Sequence, residues 1–186
     1  MTEGHLGLQI LIIFILIMIN ALFAASEIAV ISVNDNKVRH DAEEGNKTAQ
    51  KLLKLIENPG EFLSTIQISI TLAGFLASAF AADSFSDRLV RWLVEIKGFT
   101  SVNPAALNTI CLILITCVLS YFTLVLGELV PKRIAMQKAD KLAAAFSSII
   151  LVASKLFRPF VWLLAKSTNG ILRLFGVDPN AEPEEV

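Results

Sequence analysis

Cysteine and histidine are scarce in this chain of 186 residues, with two of each. Two cysteines exclude a disulfide-stapled scaffold. His5 and His40 stand alone, and Cys111 and Cys117 are six residues apart, on different helix faces. A Zn or Cu centre needs such ligands grouped, so neither metal is expected. Charge is scarce too: 18% of residues are charged, against about 25% in an average soluble domain. Sixteen Lys and Arg against seventeen Asp and Glu leave a net charge of −1. No basic field exists to hold nucleic acid. The sequence has no phosphate-binding glycine loop, no Ser–His–Asp set and no carboxylate pair beside a His, so no enzymatic activity is expected. It also has no internal repeat and no low-complexity tract.

What the chain has is apolar sequence, 54% of its residues, and its distribution sets the fold class. From Leu6 to Val33 there are 28 residues with one charge, Glu27. Phe62 to Ala82 and Ala105 to Gly127 hold 21 and 23 residues with none. About 20 apolar residues cross ~30 Å of hydrocarbon as a helix. Three transmembrane helices are therefore expected, at about 6–33, 62–82 and 105–127. Residues 142–165 are apolar but carry Lys155, Arg158 and Pro159. They are expected to form an interfacial helix, kinked or broken near Pro159. Met1 to Ala25 is not read as a cleaved signal peptide: no Lys or Arg precedes the apolar run, which continues past Ala25.

The connecting segments have structure of their own. Asn34 to Asn58 reads as two short polar helices separated at Gly45, the second with Ala49, Leu52, Leu53 and Ile56 on one stripe. Ser84 to Ile96 reads as another helix, with Trp92 suited to a membrane–water interface. The stretch 177–186, with Pro179, Pro183 and three Glu, reads as a linker. Lys and Arg number five in the first loop, three in the second and four in the third, with none in the N-terminal tail. The positive-inside rule then expects the N-terminus outside and, with three spans, the C-terminus in the cytoplasm. Lys132 and Arg133 are expected to anchor at the inner interface.

Polar groups inside the spans are the candidates for function. Asn20 and Glu27 are seven residues apart, within about 20° of one helix face. Asn20 suits interhelical hydrogen bonding, and Glu27 either serves an ion path or pairs with a loop Lys. On the second span Thr71, Gly74 and Ser78 share a stripe of small residues suited to close helix packing. Ser69 and Thr71 are nearer its cytoplasmic end. The third span ends in Gly127-Glu128-Leu129-Val130-Pro131-Lys132. Pro131 has no N–H, so the Gly127 carbonyl loses its helical partner. In a membrane it needs another partner or a water-filled cavity. A freed carbonyl beside a carboxylate is an oxygen-rich spot suited to Mg²⁺ or Ca²⁺. The plainer alternative is a helix that kinks and stops, with Glu128 paired to Lys132 at i,i+4. Ser26, Ser69 and Glu128 all come from the cytoplasmic parts of their spans, where hydroxyl, carbonyl and carboxylate oxygens can converge.

The runs Asn20–Ala29 (NALFAASEIA), Pro59–Leu72 (PGEFLSTIQISITL) and Gly127–Lys132 (GELVPK) resemble the transmembrane domain of the CorC/CNNM family, also called hemolysin-like proteins. The resemblance runs from about Leu8 to Gly176. It implies a transmembrane domain over residues 1–176, with cytoplasmic juxtamembrane helices forming a belt. It implies a homodimer in the bilayer of the cell membrane. It implies Mg²⁺ transport, usually export, coupled to Na⁺. Cytoplasmic CBS and CorC-type domains would follow the linker. The family's ion site draws on all three helices, including the residues matched here by Ser26 and Glu128. Ser69 and the Gly127 carbonyl complete the expected ligand set, with Asn20, Glu27 and Thr71 as further ion-path candidates and Pro131 as the kink. This chain departs from some members in carrying Ile70 where they carry Asn. Ile70 offers no oxygen, which leaves Ser69 and Thr71 beside it. A second reading, from another class, is a non-transporting scaffold or Mg²⁺ sensor that dimerises and positions cytoplasmic domains.

Overall fold

In a computed structural model of the chain, residues 3–97 and 103–176 are described. They are helical, with no strand among them. Helix α1 spans Glu3–Ser32, α2 Asp35–Glu43, α3 Lys47–Ile56, α4 Pro59–Lys97 and α5 Pro104–Leu124. A π-helical segment, Val125–Leu129, joins α5 to α6 (Val130–Gln137), and α7 follows over Ala139–Leu174. The linker expected at 177–186 lies outside the described residues.

Local chemistry sets the boundaries. Asn34 caps α2 through a hydrogen bond from Lys37 N–H at 3.2 Å. Asn46 caps α3, its Oδ1 accepting from Thr48 N–H at 2.9 Å and Ala49 N–H at 3.2 Å. Between them Gly45 takes φ +91°, a left-handed conformation that ends α2 without a Cβ clash. Asn103 caps α5 on Ala105 N–H at 2.9 Å, with Pro104 in the first turn, where its missing N–H leaves no gap. Because two amide donors converge on one side chain, Asn46→Ala is expected to destabilise the protein by about 1 kcal/mol. A melting temperature a few degrees lower, with hydrogen exchange rising first in α3, would verify this.

Among the described residues four helices are long and apolar enough to cross a membrane by length and composition: Leu6–Ser32, Pro59–Glu95, Ala105–Gln137 and Ala139–Leu174. The first three contain the three charge-poor runs. In α7, Lys155 and Arg158 are exposed among Val152, Leu156 and Phe160. A charge facing lipid in mid-bilayer is costly, so α7 is better accommodated at the interface. The fold is therefore an all-α membrane domain of three spans with additional helices, as the sequence implies.

Two elements differ from expectation. Ser84 to Ile96 is helical as expected, but it belongs to α4, which continues through this stretch as one helix of 39 residues. No Pro or Gly interrupts the chain between Gly74 and Lys97, so nothing local ends the helix where the hydrocarbon-length run stops. At 1.5 Å per residue α4 is about 58 Å long, well beyond a bilayer core. Likewise α7 runs unbroken through Pro159. The proline lies on the exposed side, beyond the inward stripe Ala143, Ser147, Ile150 and Ser154, so its ring disturbs none of the buried packing of α7.

The main core sits at the end of α1 that leads into the polar helices. Val30, Val38, Leu52, Phe62, Ile66 and Ile150 are buried together there, tying α1 to α2, α3, α4 and α7. Lys37 Nζ reaches Asp140 at 3.0 Å, joining α2 to α7. That hydrogen bond, and then the carboxylate charge, hold the Lys37 ammonium above the ordinary lysine value. At the other end Ser86 meets Asn108 at 2.7 Å, which links α4 to α5.

Candidate functional site: a carboxylate pair beside a π-helical turn

Small residues let α1 approach its neighbours. Ala21, Ala24, Ala25 and Ala29 are buried along one side of it. Where α1 meets the π-helical segment, two polar groups meet. Val130 N–H bonds to the carbonyl of Val125, five residues back, so the helix is widened by one residue there. Pro131 supplies no N–H, and the Gly127 carbonyl instead accepts from Asn20 Nδ2 at 3.1 Å. The carbonyl freed by the proline is thus taken by a side chain from α1. A Cβ on Gly127 would lie 3.0 Å from Asn20 Nδ2 and 3.4 Å from the Ile17 carbonyl oxygen. Glycine makes this approach without moving the Asn20 side chain, which an added methyl would push by a few tenths of an ångström. Asn20 is 2% exposed, and its Oδ1 is buried without a hydrogen-bond partner. A buried carbonyl-type oxygen left over in an apolar setting is a costly feature that a cation could relieve.

Two turns further on α1, Glu27 reaches the segment that follows Gly127. Lys132 Nζ lies 3.1 Å from Glu27 Oε2 and 3.0 Å from Glu128 Oε1. The three side chains are 25–32% exposed. Two carboxylates on different helices therefore hold one ammonium at contact distance, within reach of water. Among the described residues no group of three or more His, Cys, Asp and Glu could hold a metal ion. A divalent ion here would have to add hydroxyl and carbonyl oxygens to these two carboxylates.

The sequence matches the family profile described as "Cyclin M transmembrane N-terminal domain" over residues 11–186. The chain belongs to the cyclin M (CorC/CNNM) family. It is 36% identical over 178 residues to the UPF0053 protein sll0260 of Synechocystis, covering 95% of this chain and 39% of that one. It is 30% identical over 178 residues to the UPF0053 protein YhdP of Bacillus subtilis, covering 95% and 39%. The uncharacterized protein Rv1841c of Mycobacterium tuberculosis is 31% identical over 173 residues, covering 93% and 48%. The chain thus spans about two fifths of the length of the first two.

Within this cyclin M domain the expected site residues divide into groups. Asn20 and Gly127 meet directly, and Glu27 and Glu128 meet through Lys132. Ser26 is fully buried beside Glu27, but its hydroxyl donates within its own helix to the Leu22 carbonyl at 2.7 Å. Ser69 likewise donates to the Thr65 carbonyl at 2.8 Å. Both hydroxyls keep lone pairs to offer a cation, since the bonds they make use only their protons. Thr71 lies elsewhere. It lines a cavity of about 490 Å³ between α4 and α5 with Gly74, Ser78, Thr116 and Ser120. Ile70 borders that cavity and packs against the main core.

Lys132, read as an interface anchor and, in the plainer alternative, as the i,i+4 partner of Glu128, lies between two carboxylates, while Arg133 is exposed. Half of the arrangement was signalled by the i,i+4 spacing to Glu128. The other half was signalled by Glu27, a carboxylate in a span that needed a cationic partner from a loop.

Proposed function

We propose that this domain is the membrane part of a Mg²⁺ transporter, working as an exporter. The observation that carries this reading is the pair of carboxylates, Glu27 and Glu128, gathered from two helices around a cationic group. A place that already holds one cation by contact is suited to hold another, and two turns away on α1 the buried Asn20 Oδ1 has no partner. Glu128 and the Gly127 carbonyl are the central ligands, with Ser26 and Ser69 as hydroxyl donors from α1 and α4. Mg²⁺ is the transported ion and demands several oxygens near 2.0–2.1 Å. Na⁺ is the proposed coupling ion, by family resemblance. The protein works without catalysing a reaction.

The small-residue cavity between α4 and α5 suits close approach by a second copy of the chain, which supports a homodimer in the bilayer. Five basic residues between α1 and α4 and four between Glu128 and Lys141 support an N-terminus outside the cell membrane and a cytoplasmic C-terminus. The carboxylate pair then faces the cytoplasm, where an exporter would load.

One observation favours the scaffold or sensor reading. Glu128 is already paired, and the Ser26 and Ser69 protons are satisfied within their own helices, so the site has a closed state that needs no ion. The two readings part in one experiment. Purified protein is titrated with Mg²⁺ while its melting temperature is followed, and proteoliposomes loaded with a Mg²⁺ indicator report flux. Transport predicts stabilisation by Mg²⁺ and flux across the vesicle wall. Stabilisation without flux would leave the sensor, and neither response would leave the scaffold.

A further inference from the structure

We infer that Lys132 is a built-in competitor cation that makes the Glu27–Glu128 pair selective for divalent over monovalent ions. The inference rests on the proposed ion site and deepens it. The geometry is that of a bound cation: one Nζ at 3.0 and 3.1 Å from carboxylate oxygens of two different helices. The ammonium is carried on α6, so it is present at high effective concentration whatever the solution contains. It is also displaceable. All three side chains are about a quarter to a third exposed, and lysine is a flexible point charge rather than a rigid fork.

Charge bookkeeping then separates ion classes. With Lys132 in place the cluster sums to −2 + 1 = −1. A K⁺ or Na⁺ ion that displaces the ammonium also leaves −1. It gains no net Coulomb energy and loses the advantage of the tether. A divalent ion that displaces it leaves zero. The exchange therefore favours an ion of charge two, and that surplus offsets the reluctance of Mg²⁺ to shed water. Cytoplasmic K⁺, in large excess over free Mg²⁺, is kept out by a residue that need not touch the transported ion. Lys132 is in this sense a specificity-determining residue.

The test measures Mg²⁺ affinity calorimetrically for the purified chain in two buffers of equal ionic strength, one of KCl and one of N-methylglucamine chloride. Equal ionic strength removes general screening. For the wild type the affinity is expected to agree within about twofold between the buffers. For Lys132→Gln, K⁺ occupies the exposed pair and KCl is expected to weaken Mg²⁺ binding by about fivefold or more, by simple competition. Lys132→Arg, which keeps the charge, is expected to be as indifferent to KCl as the wild type, with weaker Mg²⁺ binding in both buffers because the guanidinium fork is harder to displace. A Lys132→Gln protein as indifferent to KCl as the wild type overturns the inference. So does a wild type that loses affinity in KCl to the same extent, which needs no variant and guards against a misfolded one. Glu128→Gln separates this from the underlying reading. A wild type that binds no Mg²⁺ in either buffer overturns both. Binding that Glu128→Gln abolishes, with no change of K⁺ response in Lys132→Gln, overturns the competitor role alone.

Discussion

Glu128→Gln is expected to weaken Mg²⁺ binding by about a hundredfold or more and to stop transport, because a unit charge at contact distance is worth about 4 kcal/mol even at an effective dielectric near 20. The amide keeps the shape of the carboxylate and one oxygen, so the loss isolates charge. The ion-free protein should be little affected. Lys132 would keep Glu27 as its partner at 3.1 Å, and partly exposed ion pairs contribute about 0–1 kcal/mol. The discriminating pattern is therefore an unchanged melting temperature without Mg²⁺ and a lost shift with it. Retained Mg²⁺ binding in this variant would remove Glu128 from the site. Equal loss of stability in both conditions would make Glu128 a packing residue.

Gly127 gives the second large effect, by a different route. Gly127→Ala places a methyl 3.0 Å from Asn20 Nδ2 and 3.4 Å from the Ile17 carbonyl. The Ile17 contact is ordinary van der Waals, so the strain falls on the Asn20 side chain, which must yield by a few tenths of an ångström and loosen its hydrogen bond to the Gly127 carbonyl. The expected destabilisation is about 1–3 kcal/mol, as for other overpacked interiors. Gly127→Leu cannot be accommodated without parting α1 from the π-helical segment, which breaks the Asn20–Gly127 hydrogen bond as well. It should yield no monodisperse protein on size exclusion in detergent. A Gly127→Leu protein that purifies and melts like the wild type would mean that α1 and the π segment do not pack as described.

The spans were legible because the hydrophobic requirement of a bilayer is a one-dimensional property, read by counting. Helix length beyond the bilayer was not, because the count stops at Asp83 while the hydrogen-bond ladder of α4 runs on to Lys97. Pro159 misled for a related reason. A missing N–H predicts a broken ladder, but α7 continues through Pro159, which sits on its exposed side beyond the buried stripe.

Within the site, the consequence of Pro131 was derivable from its ring: a carbonyl at Gly127 without a helical partner. That Asn20 would supply the missing donor was not, because the two are separated by 107 positions and only tertiary packing brings them together. Glu27 and Lys132 illustrate the same limit. Each invites an opposite charge, and the local candidate for Lys132, Glu128, was visible at i,i+4. The distant one became evident only once α1 lay against α6.

The wide turn at Val125–Leu129 acts as a shim. An α-helix advances about 100° per residue, and a turn that absorbs one residue more re-times everything after it. The phase at which Lys132 leaves the helix is thus fixed by a residue count upstream, independently of what those residues are. The same six letters from Gly127 to Lys132, set on a plain α-helix, would aim the ammonium away from Glu27. In this domain a spacing of the backbone, as much as any side chain, decides which charges share an address.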